Sequence, residues 1–401
     1  MRKLIICKSF LILFSIFFFI YSILGIILNN VDISFLFLSL LYFISSALLF
    51  NYFYNRKFRI AGRQNFIKTI DNITSHKQKI ILVYFLFYLA LFIYPNMRLG
   101  NIINPTLDFQ AYFQERFSES NVISTLIDRF RQLLYPLFLI ALSRIKFRNA
   151  VFLLLFNLYL GFANSGYIGR GSLVILFITI MYALYFKNKK LFKRILYVSI
   201  LSSPFVLWGF VQYTRIRLGA SQMDISFMDS VKFIFVAESR TSYFGEIAFN
   251  NNRYSYLFEY LRWLFTLPIP GQLLPFSPFQ LNYEIAKDIH GILPGQEGFT
   301  VTLIGLFFES IYAFGNKLFL LHAIVLQYTI AFLFKMVENF KGPFFLIGAI
   351  LAQATYVLNR GGSAGFYPFA INTMLLIIFI YILSLVLKKT IVYSKNYLSI
   401  K

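Results

Sequence analysis

The chain has 401 residues, of which 58% are hydrophobic, 20% aromatic and only 13% charged, a balance that excludes a soluble globular domain of this length. Its formal net charge is +22, from 38 Lys and Arg against 16 Asp and Glu. A single cysteine, Cys7, excludes an internal disulfide and any cysteine-based metal site.

A helix needs about 20 apolar residues to cross the hydrocarbon core of a bilayer. Such runs lie at 10–28, 32–50, 80–96, 126–143, 150–163, 172–186, 195–211, 318–334, 343–358 and 367–387. The first, from Phe10 to Leu28, is too long for a secretory signal and no small-x-small cleavage site follows it, so it is read as a retained span. The expected fold is an all-α polytopic integral membrane protein, one membrane domain over 1–401, with about ten transmembrane helices.

Orientation follows from the bias of Lys and Arg towards cytoplasmic loops. With both termini inside, the cytoplasmic segments hold 24 of the 38 basic residues and only two acids, Asp71 and Glu338. The outer side then carries 14 basic and 14 acidic side chains. The whole excess charge belongs to the inner face, where it suits anionic lipid and gives no reason to expect nucleic acid.

The apolar stretch 300–315 tests this topology. Counted as a span, it would put Lys335–Lys341 and the Lys-rich tail outside, so it is read as a re-entrant or interfacial helix on the outer side. It closes a large outer loop, 212–317; a smaller one spans 97–125. Within the large loop, Tyr254–Leu267 sets Glu259 and Arg262 three residues apart among aromatics, as in a helix lying at the headgroups. Pro268, Pro270, Pro275 and Pro278 then preclude regular helix over 268–278.

Arginine recurs beside glycine at the outer ends of spans: Gly169-Arg170-Gly171, Arg215 and Arg217 before Gly219, and Arg360-Gly361-Gly362. Asn164–Ser172 and Asn359–Ser363 are similar turns that each open a span. Gly171, Gly361 and Gly362 let backbone approach a ligand closely, and a guanidinium matches the oxygens of a phosphate. Arg170, Arg215, Arg217 and Arg360 are therefore candidate diphosphate ligands, set against the alternative that each snorkels to lipid headgroups.

Two other residues suit proton transfer. His290 is the one histidine placed outside, in a polar turn, while His76 falls in a basic inner loop and His322 in a span, where a packed neutral imidazole is the default. Glu309 lies among apolar and aromatic residues from Leu303 to Gly315, and an ionisable group at membrane depth is a functional candidate; pairing with an outer arginine is its structural alternative. No P-loop, Asp-x-Asp pair, Gly-x-Ser-x-Gly elbow or His-Glu-x-x-His pair occurs. An activated substrate must then arrive by way of the membrane, and lipid diphosphates are such a class.

The layout resembles the Wzy-type, or O-antigen, oligosaccharide repeat-unit polymerases. The resemblance rests on Gly-Arg-Gly-Ser at 169–172, Arg215 and Arg217, the large outer loop, Thr300–Gly305, Glu309–Gly315 and the final Arg-Gly-Gly turn, and it covers most of 150–390. It implies a metal-independent glycosyltransferase of glycosyltransferase C-like architecture in the bacterial inner membrane. Its substrates would be undecaprenyl-diphosphate-linked oligosaccharides, its surroundings membrane lipids, and a chain-length regulator a candidate partner. No cofactor is implied. The four arginines would neutralise the departing diphosphate, and His290 or Glu309 would take the proton of the attacking hydroxyl. An O-antigen-type ligase, or a transporter or flippase of lipid-linked oligosaccharide, are the alternative expectations.

Overall fold

The computed structural model describes residues 2–56, 63–92, 122–165, 170–217, 240–251, 256–267, 269, 274, 281–292, 302–338 and 340–398. Almost all of the small loop at 97–125 and of the proline-rich stretch lies outside them. Among the described residues every regular element is helical. Four helices are long and apolar enough to cross a membrane: Lys3–Leu28, Ser34–Asn55, Gly305–Val337 and Ser363–Leu383.

In chain order, α1 (Arg2–Phe18) passes through a π-helical turn, Phe19–Ile23, into α2 (Leu24–Leu28), and α3 (Ser34–Asn55) returns alongside. Next come α4 (Arg63–Ser75), α5 (Lys77–Phe92), α6 (Val122–Leu142), α7 (Phe147–Ser165), α8 (Arg170–Lys187) and α9 (Lys189–Arg217). A helix over 240–251, here α10, precedes α11 (Leu257–Thr266), α12 (Leu281–His290) and α13 (Gly305–Val337). The last run is α14 (Phe344–Ala352), a second π-helical turn Gln353–Val357, α15 (Leu358–Gly361) and α16 (Ser363–Leu398). Helix α13 packs along α3, α8 along α14, and α5 along α6.

The bundle is organised the opposite way from a soluble one. The buried stripe of α3 is Phe35, Ser39, Tyr42, Ser46, Phe50 and Tyr54, whereas Phe37, Leu41, Ile44 and Leu48 face outward. Helix α1 buries Ile6, Phe10, Phe14 and Phe18, one residue per turn, against that stripe. Phe10 meets Phe50 at 3.9 Å between ring centroids, and Phe18 stacks over Tyr42 at 6.1 Å. Apolar side chains cover both faces, so the polar ones mark the inside, as expected of helices whose outer solvent is lipid.

Helix α13 is broken at Gly315 (φ 71°, ψ 167°), a conformation glycine adopts without steric cost. The break falls at the last residue of the stretch read above as re-entrant. From Gly305 to Phe314 all ten residues are buried, whereas Asn316, Lys317 and Leu318 are exposed. Protein therefore surrounds the first half on every side. Much of that cover comes from the region 212–317, which among its described residues is a packed helical layer. There α10 crosses so closely that a Cβ on Gly245 would lie 2.2 Å from Cγ of Phe308.

At the far end of the bundle a few polar contacts pin the helices. The Arg144 guanidinium pairs with Asp71, the Tyr54 hydroxyl donates to Glu338 at 2.8 Å, and the Lys335 ammonium donates to the Arg56 carbonyl. The two acids of that end, Asp71 and Glu338, are thus both engaged.

Helix α8 approaches the backbone of α14 closely, where a Cβ on Gly348 would lie 2.8 Å from the Thr179 carbonyl oxygen. Backbone cannot swing aside as a side chain can. Gly348→Ala should cost roughly 1–3 kcal/mol and lower the melting temperature of the detergent-solubilised protein. Gly161→Ala, which meets nothing within 4 Å, is the matched control and should not destabilise.

Candidate functional site

Helix α16 begins at Ser363, immediately after Gly362 turns the chain at φ 69°. The first amides of a helix have no intrahelical acceptor, so a buried helix start needs one supplied from elsewhere. Glu309 supplies it. The Ser363 N–H donates to both carboxyl oxygens, at 2.9 and 2.8 Å. A Cβ at position 362 would lie 1.6 Å from Oε2 of Glu309, so only glycine fits. Glu309 is 1% exposed.

His322 lies beside this pair, its Nε2 3.7 Å from Oε1 of Glu309. The imidazole is fully buried, with Nδ1 3.0 Å from the Tyr42 hydroxyl and Nε2 3.0 Å from the Tyr260 hydroxyl. Tyr260 in turn donates to Oγ of Ser363 at 2.7 Å. Four elements, α3, α11, α13 and α16, thus place polar groups at one buried point. Among the described residues the titratable side chain recorded against Glu309 is this histidine.

A tyrosine one helical turn before Arg360 meets the glycine that follows Arg170. Gly171, at the start of α8, faces the ring of Tyr356, with Cε1 3.6 Å and Oη 3.7 Å from the site of a Cβ. Tyr356 lies in the second π-helical turn, one helical turn before Arg360, and also meets Phe17 and Tyr21 at centroid distances of 5.3 and 6.3 Å. Tyr21 belongs to the first π-helical turn, whose carbonyls accept bonds from Thr241 and Ser242 of α10. Widened helical turns recur at functional sites because they free backbone groups and re-aim side chains. Arg360 is half-buried at the end of α15. Arg170 opens α8, and Arg215 and Arg217 fall in the last turn of α9, but their side chains lie outside the described residues.

His290 occupies a separate place, exposed at the end of α12. Its Nε2 is 2.7 Å from Oγ1 of Thr302, and its ring meets Phe244 edge-on. Helix α12 is docked by Tyr312, whose hydroxyl donates to the Asp288 carboxylate at 2.6 Å, and by Asn251, which donates to the Asp288 carbonyl. Burial, and after it the negative Asp288, raise the Tyr256 phenol above its ordinary range, so it stays protonated at this junction. The described contacts do not join His290 to Glu309.

Tyr42, Tyr260, His322 and Ser363 belong to the site although sequence reasoning did not select them. Only His322 carried a signal, as an ionisable group in an apolar span. Among the described residues no group of three or more His, Cys, Asp or Glu could hold a metal ion. Compared with protein-family models, curated proteins and solved structures, the chain matches none of them.

The Tyr312–Asp288 bond should fasten α12 to the buried half of α13. Tyr312→Phe is expected to cost about 1–3 kcal/mol, because the Asp288 carboxylate loses a donor, and to raise proteolysis within 281–292. Cleavage at the wild-type rate in that segment would show that the bond does not hold the helix.

Proposed function

We propose that the protein is a membrane polymerase that joins undecaprenyl-diphosphate-linked oligosaccharide repeats at the outer face of a bacterial inner membrane. In this reading the chain crosses the bilayer ten times with both termini cytoplasmic, and its architecture is glycosyltransferase C-like. The charge distribution supports the orientation, since 24 of 38 basic residues then lie inside. The resemblance of 150–390 to Wzy-type polymerases supports the reaction.

The observation that carries the reading is the approach of Gly171, next to Arg170, to the ring of Tyr356, one helical turn before Arg360. Two glycine-flanked arginines on neighbouring turns form a receptor for a diphosphate. In the reaction, a hydroxyl of the incoming repeat attacks the anomeric carbon of the growing glycan. The bond from that carbon to the diphosphate oxygen breaks, and the lipid diphosphate leaves with the bonding electrons. Arg170, Arg215, Arg217 and Arg360 offset the charge that develops on it. The hydroxyl proton passes to His290, the exposed candidate base, while the enclosed Glu309 is the less suitable of the two.

Deletion of the gene should leave a surface glycan of single repeats. A glycan lost almost entirely would favour a flippase, and full chains stranded on the lipid carrier would favour a ligase. Arg170→Ala and Arg360→Ala should each slow chain growth by about 10²–10³-fold at unchanged membrane abundance; normal chain length in both would sink the diphosphate site. His290→Ala should slow growth by about 10²–10⁴-fold, and wild-type growth in that variant would overturn its assignment as base.

A further inference from the structure

The Arg360–Gly361–Gly362 turn needs an external hold, because neither glycine brings a side chain and Gly362 leaves the helical region. The hydrogen bonds around it allow a continuous assignment. Tyr260 has a single hydroxyl proton and gives it to Oγ of Ser363, so its oxygen is left to accept from His322. An imidazole carrying its proton on Nε2 offers Nδ1 as acceptor, and the Tyr42 hydroxyl donates there. Ser363 in turn gives its backbone N–H to Glu309, at 2.9 and 2.8 Å from the two carboxyl oxygens. The contacts therefore form a continuous chain, from Tyr42 through His322, Tyr260 and Ser363 to Glu309.

We propose that Glu309 is a positioning residue, the terminus of a hydrogen-bonded chain that ties the Arg360–Gly361–Gly362 turn to helix α11 of the region 212–317. The chain joins α3, α11, α13 and α16, and its other members are Tyr42, His322, Tyr260 and Ser363. Both oxygens of Glu309 already accept the Ser363 amide and the group is enclosed, so it does not touch a substrate. What it does is hold the start of α16 and, through Tyr260, the helix that covers it. The consequence for chain growth rests on the polymerase reading: glycan seated against the covering helices stays in register with Arg360 only while this chain is intact.

Hydrogen–deuterium exchange on the full-length protein in nanodiscs tests the tie directly, whatever reaction the protein performs. Glu309→Gln should speed exchange about tenfold both over 361–367 and over α11, as expected on losing one buried charged bond. Ser363→Ala keeps the amide on Glu309 but cuts the link to Tyr260, so exchange should rise over α11 and stay unchanged at the turn. Tyr260→Phe, the mildest change, should match Ser363→Ala. Wild-type exchange over α11 in both of these variants would overturn the proposal, even if Glu309→Gln does not fold. In chain growth, a positioning role predicts about a tenfold fall in kcat for Glu309→Gln and Tyr260→Phe alike, with the pH profile preserved. Abolition in Glu309→Gln alone, with loss of one limb of the profile, would make Glu309 the base and refute the positioning role. If the wild type elongates no glycan, the polymerase reading fails and the exchange result still decides the tie.

Discussion

A carboxylate enclosed on all sides, with a helix start as its partner, is the constraint around which the other parts are arranged. Burying a carboxyl group without hydrogen-bond partners costs several kcal/mol, so Glu309 can be where it is only if donors are supplied to it. The Ser363 amide is such a donor because α16 begins at that residue, and α16 can begin there because Gly362 turns the chain sharply just before it. Neither half of the arrangement is tolerable alone. A buried helix start without an acceptor and a buried carboxylate without donors would each be strongly unfavourable.

The same accounting explains why the half-helix Gly305–Phe314 is buried throughout. A segment with an acid in its middle cannot face lipid, so α10, α11 and α12 close over it, and their contacts are correspondingly polar and close. Gly245 admits Phe308, the Asp288 carboxylate takes the Tyr312 hydroxyl, and Tyr260 reaches past Phe314 to His322. Gly315 then lets the chain leave this enclosure and continue as an ordinary apolar helix. At the opposite end the contacts are different in kind: single pairs such as Arg144 with Asp71 pin neighbouring helices without assembling a cluster.

These features were unequally legible in the sequence. The helical class and the apolar runs were plain, because a chain this poor in charge has few other ways to satisfy its backbone in lipid. Which face of each run points inward was not, since lipid-facing and protein-facing positions are both apolar. In α3 the inward stripe is marked only by Ser39, Tyr42, Ser46 and Tyr54. Glu309 stood out as an acid among aromatics, yet its partner lies 54 residues away and no local pattern points to it. His322 was visible as a histidine in a span, but the hydroxyls on its two nitrogens come from positions 42 and 260, separations that periodicity does not reach. The likeness of the two arginine-glycine turns was legible; the contact of Gly171 with Tyr356 was not.

What distinguishes this architecture is where regular helix is given up. The two π-helical turns and the breaks at Gly315 and Gly362 lie towards one end of the bundle, where Tyr21 faces Tyr356 and Gly362 covers Glu309. Irregular backbone at membrane depth is costly unless protein encloses it, so its concentration in one place calls for a compensating use. An internal use is visible in the hold on α16. The breaks also leave Arg360 half-buried at the end of α15 and Arg170 at the start of α8.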